Sequence, residues 1–162
     1  MSRVQIGVIT IARFFLSSVF IVAAVNKIFH WHETERLFIQ VLGEWQSQLF
    51  AVEFPRLFFN YLILWAPALL IIAIFMELIG GLMLLLGLRE KWGAIILLSV
   101  LIPSTLLFHH FWFVEFEGKE LQQIMFLKNL AIMGGLIMVS VFGAQPKEKT
   151  DEGYSESSFR FQ

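Results

Sequence analysis

The chain alternates between long apolar stretches and short polar connections. Four of the apolar stretches reach the roughly 20 residues that an α-helix needs to cross the hydrocarbon layer of a bilayer. They run from Ile6 to Asn26, from Tyr61 to Leu88, from Trp92 to Trp112 and from Ile124 to Phe142. The pattern therefore predicts an all-α, polytopic membrane protein whose core is a bundle of four transmembrane helices.

The polar connection between the first two stretches has a helical period of its own. Its apolar side chains recur at helical spacing, at Phe38, Val41, Leu42, Trp45 and Leu49. Such a pattern is typical of an amphipathic helix that lies on a membrane surface. We expect this helix to pack across the top of the bundle, and a lid that gates a ligand is the alternative.

The two ends of the chain differ in character. Residues 22–24 resemble a signal-peptide cleavage site, but Arg13 would interrupt the apolar region of such a peptide, so we expect the first span to remain. Near the other end the residues are polar and show no periodicity. We predict a membrane domain over residues 1–143 and a flexible polar tail over residues 144–162.

Four spans place both termini on the same side of the membrane. On that side the basic residues are Arg3, Arg89, Lys91, Lys147, Lys149 and Arg160, and on the other side they are Lys27, Arg36, Arg56 and Lys119. Cytoplasmic connections carry an excess of lysine and arginine. The sequence therefore predicts that both termini are cytoplasmic.

Composition supports a membrane protein and excludes several functions. The chain is 57% hydrophobic, with a mean hydropathy of +0.73, which is too apolar for a soluble domain of 162 residues. A net charge of -1 argues against a nucleic-acid partner, which requires a basic face. There is no cysteine, so a disulfide, a thiolate nucleophile and a cysteine zinc site are excluded. The partner that composition predicts is the lipid bilayer.

Two charged residues lie inside apolar stretches. Counted at about 1.5 Å per residue, Arg13 and Glu77 lie about 12 Å and 16 Å from the cytoplasmic ends of their spans. An arginine fork matched to a carboxylate offsets much of the cost of desolvation at such a depth. We predict a buried ion pair between Arg13 and Glu77 that fixes the fold, and a proton-carrying or catalytic pair is the alternative.

Small residues accompany these charges. Gly80, Gly81 and Gly87 share a helical stripe with Glu77, and the fourth span contains Gly134 and Gly135. Small residues allow neighbouring helices to approach closely within a membrane. We predict that these five glycines lie at helix-packing contacts.

A second polar layer lies nearer the outer surface. Its candidate ligand-binding residues are Lys27, His109, His110, Lys128 and Asn129. Because ionisable groups inside a membrane are costly, they indicate a functional site by default, and we predict an outward-facing polar pocket. The alternative is that the lysines extend to the interface and the histidines only mark the end of a span.

The histidines also raise the question of a metal. His30, His32, His109 and His110 together are a possible ligand set for a metal or haem at the outer face. No carboxylate or supporting spacing singles them out, so no metal site is predicted.

Several blocks of this sequence resemble sequence blocks of a known protein family. The most specific is FLKNLAIMGGL at residues 126–136, followed by ELIGG at residues 77–81. Further matching positions are Arg13, Phe20, Lys27, Leu86, Gly87, Arg89 and His109. From about Gly7 to Phe142, the chain resembles the DoxX family of small four-helix membrane proteins of bacteria.

The resemblance implies a four-helix bundle in the bacterial inner membrane. It also implies an association with oxidoreductase complexes, because the family is named for a subunit of a thiosulfate:quinone oxidoreductase and some members serve thiol chemistry and oxidative stress. Most members have no assigned activity. Because this chain lacks cysteine, sulfur or thiol redox chemistry requires a partner or a bound quinone.

Two classes of function remain open. In the first, the chain is at most the membrane subunit of an oxidoreductase and has no intrinsic cofactor. A quinone would lie in the outer pocket, with Lys128, Asn129 and His109 as donors to its oxygens. In the second, the chain is a non-catalytic scaffold or a carrier of a small polar or lipidic ligand. A soluble or membrane oxidoreductase and a second copy of this chain are the candidate protein partners.

Overall fold

A computed structural model describes residues 3–49, 53–113 and 116–143 of the chain. These residues form six helices and no strand. The helices are α1 Arg3–Phe29, α2 Trp31–Gln48, α3 Glu53–Leu64, α4 Ala66–Leu86, α5 Glu90–Phe108 and α6 Phe116–Phe142. The tail predicted over residues 144–162 lies outside the described residues.

Four of the helices are long and apolar enough to cross a membrane. The candidate spans are Ile6–Phe29 in α1, Ala66–Leu86 in α4, Glu90–Phe108 in α5 and Gly118–Phe142 in α6. Apolar side chains on these helices point outward in large numbers, as expected for surfaces that contact lipid. The prediction of an all-α, four-span membrane protein is confirmed.

The second predicted span is divided in two. α3 ends at Leu64, α4 begins at Ala66, and Pro67 lies in the first turn of α4. Proline lacks an N–H group, which is no loss in a first turn, and its ring prevents it from continuing a preceding helix. The apolar pattern runs on through this boundary, so hydropathy alone did not show it.

A tight turn joins α4 to α5. Gly87 ends α4 with a φ of 69°, and the N–H of Leu88 donates to the carbonyl of Met83 at 2.9 Å. This is a Schellman arrangement, which needs a left-handed residue at the position after the helix. The turn returns the chain antiparallel to α4 and places Glu90 in the first turn of α5.

The core contains side chains from all four spans. Its buried members are Phe20, Leu84, Ala94, Leu97, Leu101 and Leu136. α4 packs against both α1 and α5, and α5 also packs against α6, but the described backbones of α1 and α6 have no comparable packing. The order around the bundle is therefore α1, α4, α5 and α6, with a seam between the first and the last.

α2 lies across one end of the bundle. Its Leu42 is fully buried and packs with Phe59 and Ala66, while the ring of Trp45 stacks on Phe59. The amphipathic helix expected between the first two spans is thus present, and α3 follows it as a second helix. We call this end of the bundle the α2 end and the opposite end, where α1 starts, the N-terminal end.

Candidate functional site

Glu77 is buried near the middle of α4 and is paired with Lys27. The ammonium nitrogen of Lys27 lies 2.7 Å from each carboxylate oxygen of Glu77. The Glu77 side chain is 8% exposed and that of Lys27 is 26% exposed. The pair ties the last turn of α1 to the middle of α4.

Arg13 is paired with a different carboxylate. Its guanidinium contacts the carboxylate of Glu90 in the first turn of α5. The predicted ion pair between Arg13 and Glu77 is therefore wrong in its partners, although both residues do form ion pairs at helix contacts. Arg13 retains one orphan group, because its Nε is buried and has no hydrogen-bond partner among the described residues.

The direction of side chains along a helix explains this exchange of partners. The Cα–Cβ bond of a helical residue tilts toward the N-terminus of its helix. Lys27 therefore points from the α2 end back into the membrane, where Glu77 lies. Arg13 points toward the N-terminal end, where Gly87 and Glu90 lie. Counting residues gave depths for the backbone and ignored this tilt.

The two predicted histidines lie at the α2 end but serve different contacts. His109 Nδ1 lies 2.9 Å from Oε1 of Gln122 on α6. His110 Nδ1 lies 2.7 Å from the carbonyl of Leu107, and its Nε2 lies 3.4 Å from a carboxylate oxygen of Glu44 on α2. One histidine therefore links α5 to α6, and the other links the end of α5 to α2.

Asn129 and Lys128 are adjacent in sequence but face different surroundings. The Asn129 amide donates to the hydroxyl of Thr105 on α5 at 3.0 Å. Lys128 lies on the exposed side of α6 and has no hydrogen-bond or ion-pair partner among the described residues. The structure thus distributes the five candidate ligand-binding residues over separate contacts and does not bring them into one outward-facing pocket.

The histidines likewise do not form a metal-binding group. Within residues 3–49, 53–113 and 116–143, no group of three or more histidine, aspartate or glutamate side chains has the arrangement to hold a metal ion.

Four of the five predicted glycine contacts fall into two groups. A Cβ added at Gly80 would lie 2.7 Å from Cγ of Leu97, and one at Gly81 would lie 2.9 Å from Cγ1 of Ile21. These two glycines allow α4 to approach α5 and α1. A Cβ at Gly134 would meet nothing within 4 Å, and one at Gly135 would make only an ordinary contact with Leu16. The close packing predicted for Gly134 is therefore not seen in the described chain.

Sequence reasoning also missed two residues. Glu90 lies between Arg89 and Lys91 at a span end, where charges suggest an exposed surface, yet it is 5% exposed. Gly93 faces Gly80, because a Cβ there would lie 3.2 Å from the Gly80 carbonyl oxygen. The tilt of the Arg13 side chain toward the N-terminal end was the available signal for Glu90.

The seam between α1 and α6 forms a cavity of about 910 Å³. We call it the α1–α6 groove. It is lined by Ala12, Arg13, Phe15, Leu16 and Val19 of α1, Glu90 of α5, and Lys128, Ala131, Ile132, Gly135, Met138 and Phe142 of α6, among others. Phe15, Met138 and Phe142 at its edge are all more than half exposed, so the groove opens sideways, toward the position of the lipid.

No polar contact between described residues bridges this groove from α1 to α6. Elsewhere in the bundle, polar contacts link α1 to α4 through Lys27 and Glu77, α1 to α5 through Arg13 and Glu90, and α5 to α6 through Thr105 and Asn129, while α4 packs closely against α5. Interhelical polar contacts of this kind stabilise membrane bundles. The α1–α6 groove is therefore the side of the described bundle that can open with the least loss of bonding.

The fold and its paired charges define a polytopic helical membrane protein with a lateral, mainly apolar groove. The sequence profile of the DoxX family matches residues 8–110, which is more than half of the 162 residues. The chain belongs to the DoxX family. The matched region includes ELIGG at residues 77–81 and ends before α6. No curated protein and no solved structure gives a significant match.

Proposed function

We propose that this DoxX protein is the membrane subunit of a quinone-linked oxidoreductase complex and that it holds the quinone in the α1–α6 groove. The α1–α6 groove itself is the observation that carries this proposal. It opens sideways between two spans, its walls are mainly apolar, and one ammonium group, that of Lys128, lies at one end of it. A ligand that dissolves in the bilayer can enter such a site without crossing an aqueous surface.

The chemistry of the groove suits an amphipathic ring on a hydrocarbon chain. Ligand sites are typically apolar, with a few polar groups that fix orientation. The Lys128 ammonium supplies donors for a ring oxygen, and the apolar walls suit the chain. The outer pocket suggested by the sequence is a poorer location, because His109 and Asn129 already bond to Gln122 and Thr105.

A partner protein supplies the electrons in this proposal. The chain has no cysteine, so it has no thiol or disulfide of its own to oxidise or reduce. Its family resemblance implies a place among membrane oxidoreductases. The role proposed for this chain is therefore to bind and position the quinone, while a soluble or membrane oxidoreductase carries out the transfer.

The proposed location is the bacterial inner membrane, with both termini in the cytoplasm. Arg89 and Lys91 support this orientation, because both are exposed where α4 turns into α5 at the N-terminal end. Trp92 next to them is 62% exposed, as expected for a ring at the membrane interface.

The test is a measurement of quinone in protein purified from its native membrane. We expect an amount of quinone per protein well above that of the surrounding lipid, and a several-fold loss in Ala131→Phe, which fills the groove. Leu127→Phe, one turn away on α6 and not in the groove, is the matched control and should retain the quinone. Quinone at the background ratio in the wild-type protein would remove this function.

A second candidate is a non-catalytic scaffold or carrier. The observation that favours a scaffold is that Arg13 and Glu77 are each held in an ion pair between two helices. These ion pairs fix the positions of α1, α4 and α5 relative to one another. Ligand uptake by liposomes that contain the protein alone would favour a carrier. Recovery of a redox enzyme with the protein, lost when the α1–α6 groove is filled, would favour the oxidoreductase subunit.

A further inference from the structure

Lys128 is the anomaly among the charges of this bundle. Three ionisable side chains lie more than one turn from the ends of the candidate spans: Arg13, Glu77 and Lys128. The first two have partners, Glu90 and Lys27. Lys128 has none among the described residues. It is preceded by 12 residues of α6 and followed by 14, so it lies about 18 Å from one helix end and 21 Å from the other.

A cation at this depth needs a counter-charge, which the described residues do not supply. Lysines that reach the interface lie near helix ends, and charges near the bilayer centre are stable only when paired or hydrated. The carboxylates of the described spans that lie near the groove or the core, Glu77 and Glu90, are already paired. In a second copy of the chain, Glu77 and Glu90 are paired in the same way, so these two carboxylates do not supply the missing charge.

The α1–α6 groove is long and open on one side. It extends along α6 from Lys128 to Gly143, about 22 Å. A hydrocarbon chain with a ring at one end can lie along a groove of this length.

The back of the groove is closed by a contact between α1 and α6. A Cβ placed on Gly135 would lie 3.8 Å from Cδ1 of Leu16, so α1 and α6 touch at that level. An occupant must therefore lie along the outer side of this contact. Its head can reach Lys128, and its chain can follow the apolar edge formed by Val19, Met138 and Phe142.

Ion size favours a ring over a small carboxylate as the anionic head. The cost of moving an ion into a low-dielectric medium is large and falls as its charge is spread over more volume. A fatty acid concentrates its charge on two oxygens, whereas the anion of a ring hydroxyl conjugated to carbonyl groups spreads it over the ring. At the depth of Lys128, the delocalised anion therefore has the lower desolvation cost of the two.

We propose that the α1–α6 groove selects a quinone-type amphiphile whose ring carries an ionised hydroxyl, with Lys128 as its ion-pair partner and its single hydrocarbon chain along the apolar edge. This inference rests on the proposed function for its site and adds the class of ligand. In this inference Lys128 binds the ligand through an ion pair. A neutral quinone would not require such a pair.

The test uses two probes that differ by one methyl group, which prevents ionisation. One is an alkyl naphthoquinone with an acidic ring hydroxyl, and the other is the same molecule with that hydroxyl methylated. Binding is measured to the full-length protein in nanodiscs of neutral phospholipid, with empty nanodiscs as the blank. The ionised probe is expected to bind at least tenfold more tightly than its methylated form.

Variants connect this preference to Lys128. Lys128→Met is expected to abolish the tenfold difference by weakening the ionised probe, and Lys128→Arg is expected to preserve it. Lys91→Met is the matched control, because Lys91 is exposed at a helix end and does not line the groove. Loss of an unpaired charge should not unfold the protein, so Lys128→Met is expected to keep or raise the wild-type unfolding temperature.

Three results would overturn the inference. They are equal binding of the two probes, a preference that survives Lys128→Met, and a tighter Lys128-dependent binding of hexadecanoic acid, which would make a fatty acid the occupant. If quinone copurifies but the probes bind equally, the proposed function survives and the inference fails. If no quinone copurifies and neither naphthoquinone binds, both fail.

Discussion

Lys27 extends from the last turn of α1 back toward the membrane interior and places its ammonium nitrogen 2.7 Å from both carboxylate oxygens of Glu77. Glu77 lies near the middle of α4, about 14 Å from its C-terminal end. A lysine at a helix end usually extends outward to the interface. Its inward direction here shows that neutralising the buried carboxylate outweighs exposing the ammonium to water.

The first prediction concerns this pair. Lys27→Met should lower the free energy of unfolding by about 3 kcal/mol, because it leaves a buried carboxylate without its cation. Replacing both residues, as Lys27→Met with Glu77→Leu, should recover most of that loss, since apolar packing often substitutes for a buried ion pair. Reversible unfolding in mixed micelles measures both values. A double variant as unstable as the sum of the two single variants would contradict the pairing.

The second prediction tests the partner of Arg13. In a double-mutant cycle, Arg13→Met and Glu90→Gln should show a coupling energy of about 1–3 kcal/mol, because the two side chains are in contact. The same cycle with Glu77→Gln in place of Glu90→Gln should show coupling close to zero. The reverse result would restore the pairing that residue counting predicted.

The third prediction concerns glycine packing. Gly80→Ala should destabilise the bundle by about 1–3 kcal/mol, because the new Cβ would lie 2.7 Å from Cγ of Leu97 and 3.1 Å from the carbonyl oxygen of Gly93. Gly134→Ala is the matched control. It meets open space and should be neutral or slightly stabilising through its better helix propensity.

Unfolding temperatures of the two glycine variants in one detergent provide the comparison. Equal destabilisation by both would show that the closeness of α4 and α5 is not what makes Gly80 necessary.

The fourth prediction concerns the attachment of α2. The indole N–H of Trp45 donates to the carbonyl of Leu107 at 3.1 Å. Trp45→Phe removes this donor, but the carbonyl keeps the contact with Nδ1 of His110, so the cost should be about 1 kcal/mol. Amide hydrogen exchange in α2 should then become about fivefold faster.

Trp92→Phe is the control for the α2 variant. Trp92 is 62% exposed at the opposite end of the bundle, and its replacement should leave exchange in α2 unchanged. Unchanged exchange in Trp45→Phe as well would mean that apolar packing of Leu42 holds α2 without this hydrogen bond.

The number, type and approximate position of the spans could be predicted from sequence. The hydrocarbon layer requires about 20 apolar residues and a fully bonded backbone, so a run such as Trp92 to Trp112 allows few interpretations. The boundary at Trp65 was missed because hydropathy does not register the backbone effect of Pro67. The family resemblance was also available from short blocks such as ELIGG.

The partners of the charged residues were decided by the tertiary structure. The sequence identified Arg13, Glu77 and Lys128 as charged residues that require partners, because the free-energy cost of an unpaired charge in lipid follows from its depth in the span alone. Which neighbours they have depends on the offset between antiparallel helices and on the tilt of each side chain, and both are set by packing. That packing paired Arg13 with Glu90 and Lys27 with Glu77, and it left Lys128 in the open seam between α1 and α6.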